Sequence, residues 1–243
     1  MITITPDQWI VLRIGSVAIN ATLAFTWLVM LILVVGSWLI TRRLSTGAEI
    51  SRWQNVVEVL VSGIDDQIRA VSKQQPGAYL PFVGTLFLFI AMSNLLAIVP
   101  GYRPPTGSLS TTTALAICVF VAVPVFGVVR HGPLRYLRHY VRPNVLMLPF
   151  NVIGELSRTV ALAVRLYGNI MSGTVLAGIL LSLAPFFFPV LVQLLGLLTG
   201  MIQAYIFAVL AMVYIASAAA ASREDEPTTE PPPSSELKDP THG

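Results

Sequence analysis

The chain has 243 residues, of which 55% are hydrophobic and only 11% are charged, and its mean hydropathy is +0.75. A soluble globular domain is about 25% charged, so this composition excludes an ordinary soluble enzyme and indicates a membrane protein. Residues 1–221 carry 13 Lys or Arg against 6 Asp or Glu, whereas residues 222–243 carry 2 against 6. We therefore expect a membrane domain, 1–221, and an aqueous tail, 222–243.

Charge-free runs predict the membrane crossings, because one crossing needs about 20 apolar residues. Four such runs are bounded by Arg13 and Arg42, by Lys73 and Arg103, by Arg103 and Arg130, and by Arg165 and Arg223. The first three hold one crossing each. The fourth is long enough for two, with a turn predicted at APFFFP, residues 184–189. The sequence thus predicts an all-α membrane protein with about five crossings, the last two forming a long, tilted helical hairpin.

The first crossing is predicted within the apolar run from about residue 17 to residue 40. This run is too long for the core of a cleavable signal peptide, and no small-residue cleavage site ends it. We therefore expect the segment to stay in the protein as a membrane span.

An amphipathic helix is predicted between the first and second spans, within ISRWQNVVEVLVSGIDDQIRAVSK. Its apolar residues recur at helical steps of three and four. They are Ile50, Trp53, Val57, Leu60, Ile64, Ile68 and Val71. With charges on the opposite face, this helix is expected to lie along the cytoplasmic interface. The alternative is a helix of the soluble type that packs on a neighbour.

Basic residues predict the orientation, since Lys and Arg concentrate in cytoplasmic loops. The connection PGYRPPTGS after the second span holds only Arg103. The segments after the first and third spans are rich in basic residues: Arg42, Arg43, Arg52, Arg69 and Lys73, then Arg130, Arg135, Arg138 and Arg142. We therefore expect the N-terminus outside and the C-terminus in the cytoplasm. The tail SREDEPTTEPPPSSELKDPTHG has almost no apolar residues and is expected to be disordered.

A polar stripe crosses the segment GELSRTVALAVRLYGNIMSG and the residues just before it. With about 3.6 residues per helical turn, positions three or four apart share a face. The stripe consists of Asn151, Glu155, Arg158, Leu162, Arg165, Asn169 and Ser172. An arginine at mid-membrane depth costs at least about 2.5–3.5 kcal/mol on insertion scales, so two of them on one helix indicate a function.

The two arginines differ in their possible partners. Glu155 lies three residues before Arg158 and can pair with it. Arg165 has no acidic neighbour at membrane depth, so it either faces water or finds its counter-ion on another protein. The alternative, in which the side chains extend to the membrane interface, fits Arg158 better than Arg165. A second stripe on the last span holds Gln193, Gly196, Gly200, Gln203 and Phe207, and suits close helix packing or a hydrogen bond from Gln203.

The segments VALAVRLYGNIMSG, with Arg165 and Asn169, and IQAYIFAVLAMVYI, with Gln203, resemble subunit a of F-type ATP synthases. WQNVVEVLV, SNLLAIVPG and PPTGSLSTTTALAI resemble other segments of that family in the same order, so the resemblance covers roughly residues 52–215. It implies a subunit that is no enzyme on its own and that forms two offset half-channels for H⁺ or Na⁺. The chain also resembles the alternative N-type branch, for which sodium transport is the usual proposal.

The resemblance also implies roles for individual residues. Arg165 is expected to face a rotating ring of c subunits, whose carboxylates supply its counter-ion, and to separate the two half-channels. Further ion-path residues are expected at Asn169, Gln203, Arg158, Glu155, Ser172, Thr174 and Asn94, with Ser93 and Gln193 as additional candidates. Many proton-carrying relatives have a titratable residue where this chain has Thr174 and Gly196. The path is therefore expected to use water, hydroxyls and amides, or to carry an ion other than H⁺.

The expected partners follow from the same resemblance: a c-subunit ring, b-type stator subunits, a soluble F1 sector and the lipid bilayer of a bacterial plasma (inner) membrane. No nucleic-acid partner is expected. The sequence has no phosphate-binding glycine loop and no metal-ligand cluster, so no cofactor is expected. Two alternatives stay open on the residues alone: a self-contained secondary transporter with an intramembrane Glu/Arg site, and a membrane assembly scaffold.

Overall fold

The structure is a computed structural model that describes residues 10–14, 17–42, 52–72, 79–99, 101–133, 147–183 and 188–221. These ranges contain six α-helices: α1 Ala21–Arg42, α2 Arg52–Ser72, α3 Leu80–Leu95, α4 Leu109–His131, α5 Met147–Leu183 and α6 Phe188–Ala221. Short 3-10 turns at Leu96–Ile98 and Pro105–Gly107 connect α3 to α4. The predicted all-α fold is confirmed, with one small addition, an antiparallel pair of strands β1 Ile10–Ile14 and β2 Val17–Asn20.

Five of the six helices are long and apolar enough to cross a membrane, as the sequence predicts. The candidate spans are Ala21–Leu39, Leu80–Ile98, Leu109–Val129, Pro149–Ser182 and Val190–Ser217. The last two have 34 and 28 residues. Because both exceed the length of one upright crossing, they must tilt in the bilayer. Together α5 and α6 form the predicted long hairpin.

The ends of two predicted segments can be compared with the structure. α1 begins at Ala21, inside the predicted apolar run from about residue 17, and Val17 pairs with Ile14 in the strand pair before it. At the hairpin, α6 begins at Phe188, within the predicted turn 184–189, and residues 184–187 lie outside the described set. A proline in the first helical turn disturbs nothing, since the backbone N–H that it lacks would have had no partner within the helix.

The core lies between α3, α4, α5 and α6. Its main cluster draws residues from all four helices: Leu86, Ile90, Ala91, Ala116, Val119, Leu162, Ala163, Leu166, Ala204, Phe207 and Ala211. The many alanines let the helices approach closely. A second cluster, closer to the start of α3, comprises Tyr79, Val83, Ala122, Val123, Ala208, Met212 and Ile215. These contacts fix the middle of α5 and α6 relative to α3.

The helix α1 lies at the edge of this bundle. Its side chains at Trp27, Leu31 and Val34 are 59%, 60% and 67% exposed. It reaches the bundle near its start, where the ring of Phe25 lies 4.9 Å from the ring of Tyr102. This span therefore contributes little to the core and offers an apolar surface to lipid or to another subunit.

The predicted amphipathic helix is confirmed as α2, which packs on α3 and α6. Ile64 contacts the second core cluster, and the Tyr205 hydroxyl donates a hydrogen bond to Gln67 Oε1 at 2.8 Å. Arg69 forms an ion pair with Asp65, with 2.8 Å between Arg69 Nε and Asp65 Oδ2. The side chains of Trp53, Val57, Leu60, Ile68 and Val71, and residue Ile50, are outside the described set. The position of α2 along the cytoplasmic interface stays a prediction.

Other expectations fall outside the described residues. The tail, residues 222–243, and the basic residues Arg43, Lys73, Arg135, Arg138 and Arg142 lie there. The division into domains 1–221 and 222–243 is therefore still a prediction.

Candidate functional site

Arg165 occupies the middle of α5, and its side chain is exposed. The residues one turn before it and next to it, Leu162 and Leu166, are 1% and 0% exposed and belong to the core. Arg165 therefore stands at the border between the packed face of α5 and the outer surface of the hairpin. The part of the chain that the structure describes offers its guanidinium neither a hydrogen bond nor an ion pair. This agrees with the lack of an acidic neighbour in the sequence.

Gln203 lies opposite, on α6, and is only 7% exposed. Its neighbours Ala204 and Phe207 share the main core cluster with the residues that flank Arg165. The turns of α5 and α6 that carry Arg165 and Gln203 thus border the same core cluster. Within the described residues, the Gln203 Nε2 atom is buried without a hydrogen-bond partner. A buried donor without a partner costs about 1–3 kcal/mol, so this amide needs a hydrogen-bond acceptor such as water or a group on another subunit.

Asn94 connects three elements at the end of α3. Its side chain is 2% exposed, and its Nδ2 donates a hydrogen bond to the carbonyl oxygen of Gly200 at 2.7 Å. Its Oδ1 accepts a longer hydrogen bond from the Thr106 hydroxyl at 3.4 Å. Because Gly200 precedes Gln203 by one helical turn, Asn94 links the loop before α4 to the middle of α6.

Two further hydroxyls are buried beside Asn94. Ser93 is 0% exposed, and among the described residues neither its Oγ nor the Oη of Tyr102 forms a well-aligned hydrogen bond. Burial raises the pKa of Tyr102 to about 12, while a weak hydrogen bond between its hydroxyl and that of Ser93 acts in the opposite direction. Tyr102 therefore keeps its proton at any physiological pH. We call Ser93, Asn94, Tyr102 and Thr106 the buried polar cluster.

Sequence reasoning named Ser93 and Asn94 but missed Tyr102 and Thr106. Both lie in the short connection between α3 and α4, which looks like an ordinary loop rich in proline and glycine. Thr106 is 0% exposed, because the 3-10 turn Pro105–Gly107 folds in against α5. At Gly107, a Cβ would lie only 3.0 Å from Ile170 Cγ2. Their sequence signal is weak: each is a polar residue in the short connection between two predicted spans.

The polar stripe of α5 is less uniform than predicted. Leu162 is in the core, so the stripe runs along the border of the packed face rather than on an open polar face. Arg158 is exposed, and its guanidinium lies over the ring of Tyr214 at 5.6 Å. Glu155 is half-buried, and its pairing with Arg158 stays a prediction.

The remaining candidates lie farther along the hairpin. Asn169 is half-buried, and its carbonyl oxygen accepts a hydrogen bond from Ser172 Oγ at 3.1 Å. Thr174 Oγ1 donates to the Ile170 carbonyl at 2.9 Å. Both hydroxyls are exposed and are held by their own helix. On α6, Gln193 Nε2 donates to the Ala97 carbonyl at 2.9 Å, which ties the outer part of the hairpin to the end of α3.

The candidate residues combine neutral hydroxyl and amide groups with two permanent cations, Arg158 and Arg165, and one carboxylate, Glu155. Among the described residues, no group of three His, Cys, Asp or Glu could hold a metal ion. Gly196 has open space at its Cβ position. Neither Gly196 nor Thr174 can exchange a proton in the ordinary pH range.

Comparison with known proteins identifies the family. The family model described as ATP synthase A chain matches residues 23–216, a range that includes Arg165, Gln203 and the buried polar cluster. The chain belongs to the ATP synthase A-chain family. The family predicted from the sequence is therefore confirmed, and the chain has the role of a subunit a in the membrane sector of an ATP synthase complex.

Several curated members of the family are similar over most of their length. The chain is 65% identical over 215 residues to ATP synthase subunit a 2 of Acaryochloris marina. The aligned region covers 88% of this chain and 92% of that relative. It is 59% identical to ATP synthase subunit a of Albidiferax ferrireducens, with coverage of 88% and 93%. It is 57% identical to ATP synthase subunit a 1 of Chlorobaculum parvum, with coverage of 88% and 95%.

Proposed function

We propose that the chain is the ion-translocating subunit of a rotary ATP synthase, in which Arg165 separates two offset half-channels that load and unload carboxylates on a c-subunit ring. The observation that carries the proposal is an exposed arginine in the middle of a membrane span, without an ion-pair partner in the described part of the chain. Such a residue is costly in a membrane and is kept for pairing or for a task. A carboxylate on another subunit supplies both.

The mechanism follows from the charge. As a ring carboxylate approaches Arg165, the positive guanidinium favours the ionised form of that carboxylate, so the bound ion is released. A fixed positive charge also opposes the direct passage of cations from one half-channel to the other. Arginine suits this task because it stays protonated, whereas a desolvated lysine can lose its proton.

The outer half-channel is proposed at the buried polar cluster. The loop that carries Tyr102 contains only one basic residue, Arg103, which is typical of the outer side. From this loop, Thr106 contacts Asn94, and Asn94 contacts Gly200, one turn from Gln203. The partnerless atoms of Ser93, Tyr102 and Gln203 support a hydrated path, because buried polar atoms without protein partners need water or an ion. The half of α5 that follows Arg165 completes the outer path with Asn169, Ser172 and Thr174.

The inner half-channel is proposed around Glu155 and Arg158, on the side of Arg165 that follows the basic segment after α4. In this orientation the N-terminus lies outside and the C-terminus in the cytoplasm of a bacterium, as expected for five crossings of the inner membrane. The proposed partners are the c ring, b-type stator subunits and the soluble F1 sector. On its own the chain catalyses no reaction. Its function requires the complex.

The decisive experiment replaces Arg165 in the whole complex, reconstituted in lipid vesicles. Arg165→Ala should abolish ATP-driven pumping and ion-driven ATP synthesis, because ring carboxylates are no longer induced to release their ion. Arg165→Lys should fail or nearly fail, since a compact ammonium lacks the reach of the guanidinium and can deprotonate. Arg158→Lys is the matched control and should be far milder, because it keeps a cation near Tyr214. An Arg165→Ala complex that assembles and pumps near the normal rate would refute the proposal.

A further inference from the structure

A close contact joins α3 and α6 at Gly200. A Cβ atom placed on Gly200 would lie 2.9 Å from Asn94 Cγ, 3.0 Å from Asn94 Nδ2 and 3.1 Å from Asn94 Cβ. Real Cβ atoms essentially never show the first of these distances, and the other two are tighter than nine in ten real Cβ contacts. At Gly196, one turn earlier on the same helix, no atom lies within 4 Å of the Cβ position. The need for glycine is therefore local to position 200.

The contact fixes the orientation of the Asn94 amide. Because Gly200 has no side chain, Asn94 Nδ2 comes within 2.7 Å of the Gly200 carbonyl and donates a hydrogen bond to it. The amide oxygen then points to the other side, where it meets the Thr106 hydroxyl at 3.4 Å. Any larger residue at position 200 must push α6 away from α3 or rotate Asn94 away from this arrangement.

Glycine at this position has a cost that the contact must offset. In a helix interior it is about 1 kcal/mol less favourable than alanine. Small residues in membrane helices are favoured where two backbones approach. Here the approach places a buried side-chain amide on a backbone carbonyl one turn before the partnerless amide of Gln203.

We propose that Gly200 is a positioning residue of the outer ion path. Its missing side chain orients the Asn94 amide, with the oxygen toward Thr106 and the nitrogen toward α6, and sets the position of Gln203 one turn along the helix. This inference rests on the proposed function, since it assumes that ions pass through Asn94 and Gln203. It adds a residue that neither touches the ion nor carries a charge.

The test is a double-mutant cycle in the assembled complex in lipid vesicles, with Gly200→Ala, Asn94→Ser and the double variant. Gly200→Ala should slow ATP-driven pumping between about tenfold and 10²-fold, because displacements near 1 Å in such sites have effects of that size. In the Asn94→Ser background the shorter side chain removes the collision. There, Gly200→Ala should change the rate by no more than about twofold, the range expected for uncoupled sites. Gly36→Ala on α1, where a Cβ likewise meets nothing within 4 Å, is the control and should pump normally because it lies away from the proposed path.

A positioning role is separated from a folding role by a second measurement. Gly200→Ala should raise the ion concentration needed for half-maximal pumping, while the amount of c ring that copurifies with the chain stays unchanged. The inference is overturned if Gly200→Ala pumps normally, if it slows pumping equally in both backgrounds, or if it only lowers the yield of assembled complex. Arg165→Ala is measured in parallel. Normal pumping by that variant refutes the proposed function, whereas the Gly200 variants bear on this inference alone.

Discussion

Polar atoms without partners distinguish the candidate site from the rest of the described bundle. Asn94 accepts a hydrogen bond from Thr106 and donates one to the backbone of α6. By contrast, Ser93 Oγ and Gln203 Nε2 form no well-aligned hydrogen bond with a described residue. Within a membrane, surrounding solvent does not supply hydrogen bonds to such atoms, so each one lowers the stability of the helix bundle. We infer that these atoms serve transport rather than folding, and this inference can be tested on one hydroxyl.

Ser93→Ala should separate stability from transport. Removing a buried hydroxyl that forms no well-aligned hydrogen bond should leave the thermal stability of the complex unchanged or raise it by roughly 1 kcal/mol. Pumping should fall, because the hydrated path loses one of its polar groups. The control is Ser62→Ala on α2, whose exposed hydroxyl bonds its own helix at Val59. Unchanged pumping by Ser93→Ala, at normal assembly, would remove Ser93 from the path.

At the level of single helices, length and charge were sufficient to predict most of the fold. The charge-free runs predict four of the five spans outright, because an apolar stretch of that length has one stable place, the bilayer. Of the span on α5 they predict only the part after Arg165, since the earlier part carries Glu155 and Arg158. The apolar residues of α2, spaced by three and four, predict a helix with one apolar face, and Ile64 indeed packs into the bundle. The exact first residues of α1 and α6 could not be predicted, since hydropathy does not separate a strand or turn from the helix it adjoins.

Contacts between distant helices could not be predicted in the same way. Asn94 and Gly200 are 106 residues apart, and no spacing rule relates them. Thr106 and Tyr102 lie in a loop whose proline and glycine content predicts a turn but not that the turn folds inward. The polar stripe of α5 was predicted from helical periodicity alone, which cannot tell that Leu162 faces the core while Arg165 faces outward.

The direction in which α1 and α3 run through the membrane can be tested with cysteine labelling. Cys118 is exposed on α4 and is first replaced by alanine to give a background without thiols. Val99→Cys, at an exposed position after α3, should react with a membrane-impermeant thiol reagent added outside. Arg42→Cys, exposed at the end of α1, should react only after the membrane is opened. The reverse pattern would contradict the proposed orientation, because these sites must lie on opposite sides.

For the whole molecule, the family assignment makes the chain one subunit of a complex, and the proposed function places the ion-binding carboxylates on other subunits. The two long helices α5 and α6 present Arg165 at the border of a largely exposed apolar surface, with Leu176, Ile179, Leu194 and Leu198 each more than half exposed. Exposed apolar patches of this extent mark lipid-facing or partner-facing surfaces. An arginine beside such a surface is stable only next to water or a partner carboxylate, which is the arrangement that the proposed function supplies.

The nature of the ion is a property of the complete complex, and we expect it to be Na⁺. The described outer path contains hydroxyls and amides, and Thr174 and Gly196 provide no proton-exchanging group. At fixed pH, Na⁺ should therefore stimulate ATP hydrolysis by the whole complex. It should also protect the ring carboxylates from carbodiimide, because an occupied carboxylate is not available to react. Choline chloride at equal ionic strength is the control, since it matches the screening of surface charges without offering an ion that fits the site. Equal rates and equal modification in the two salts would show that protons are carried, and that the hydrated path conducts them without titratable side chains.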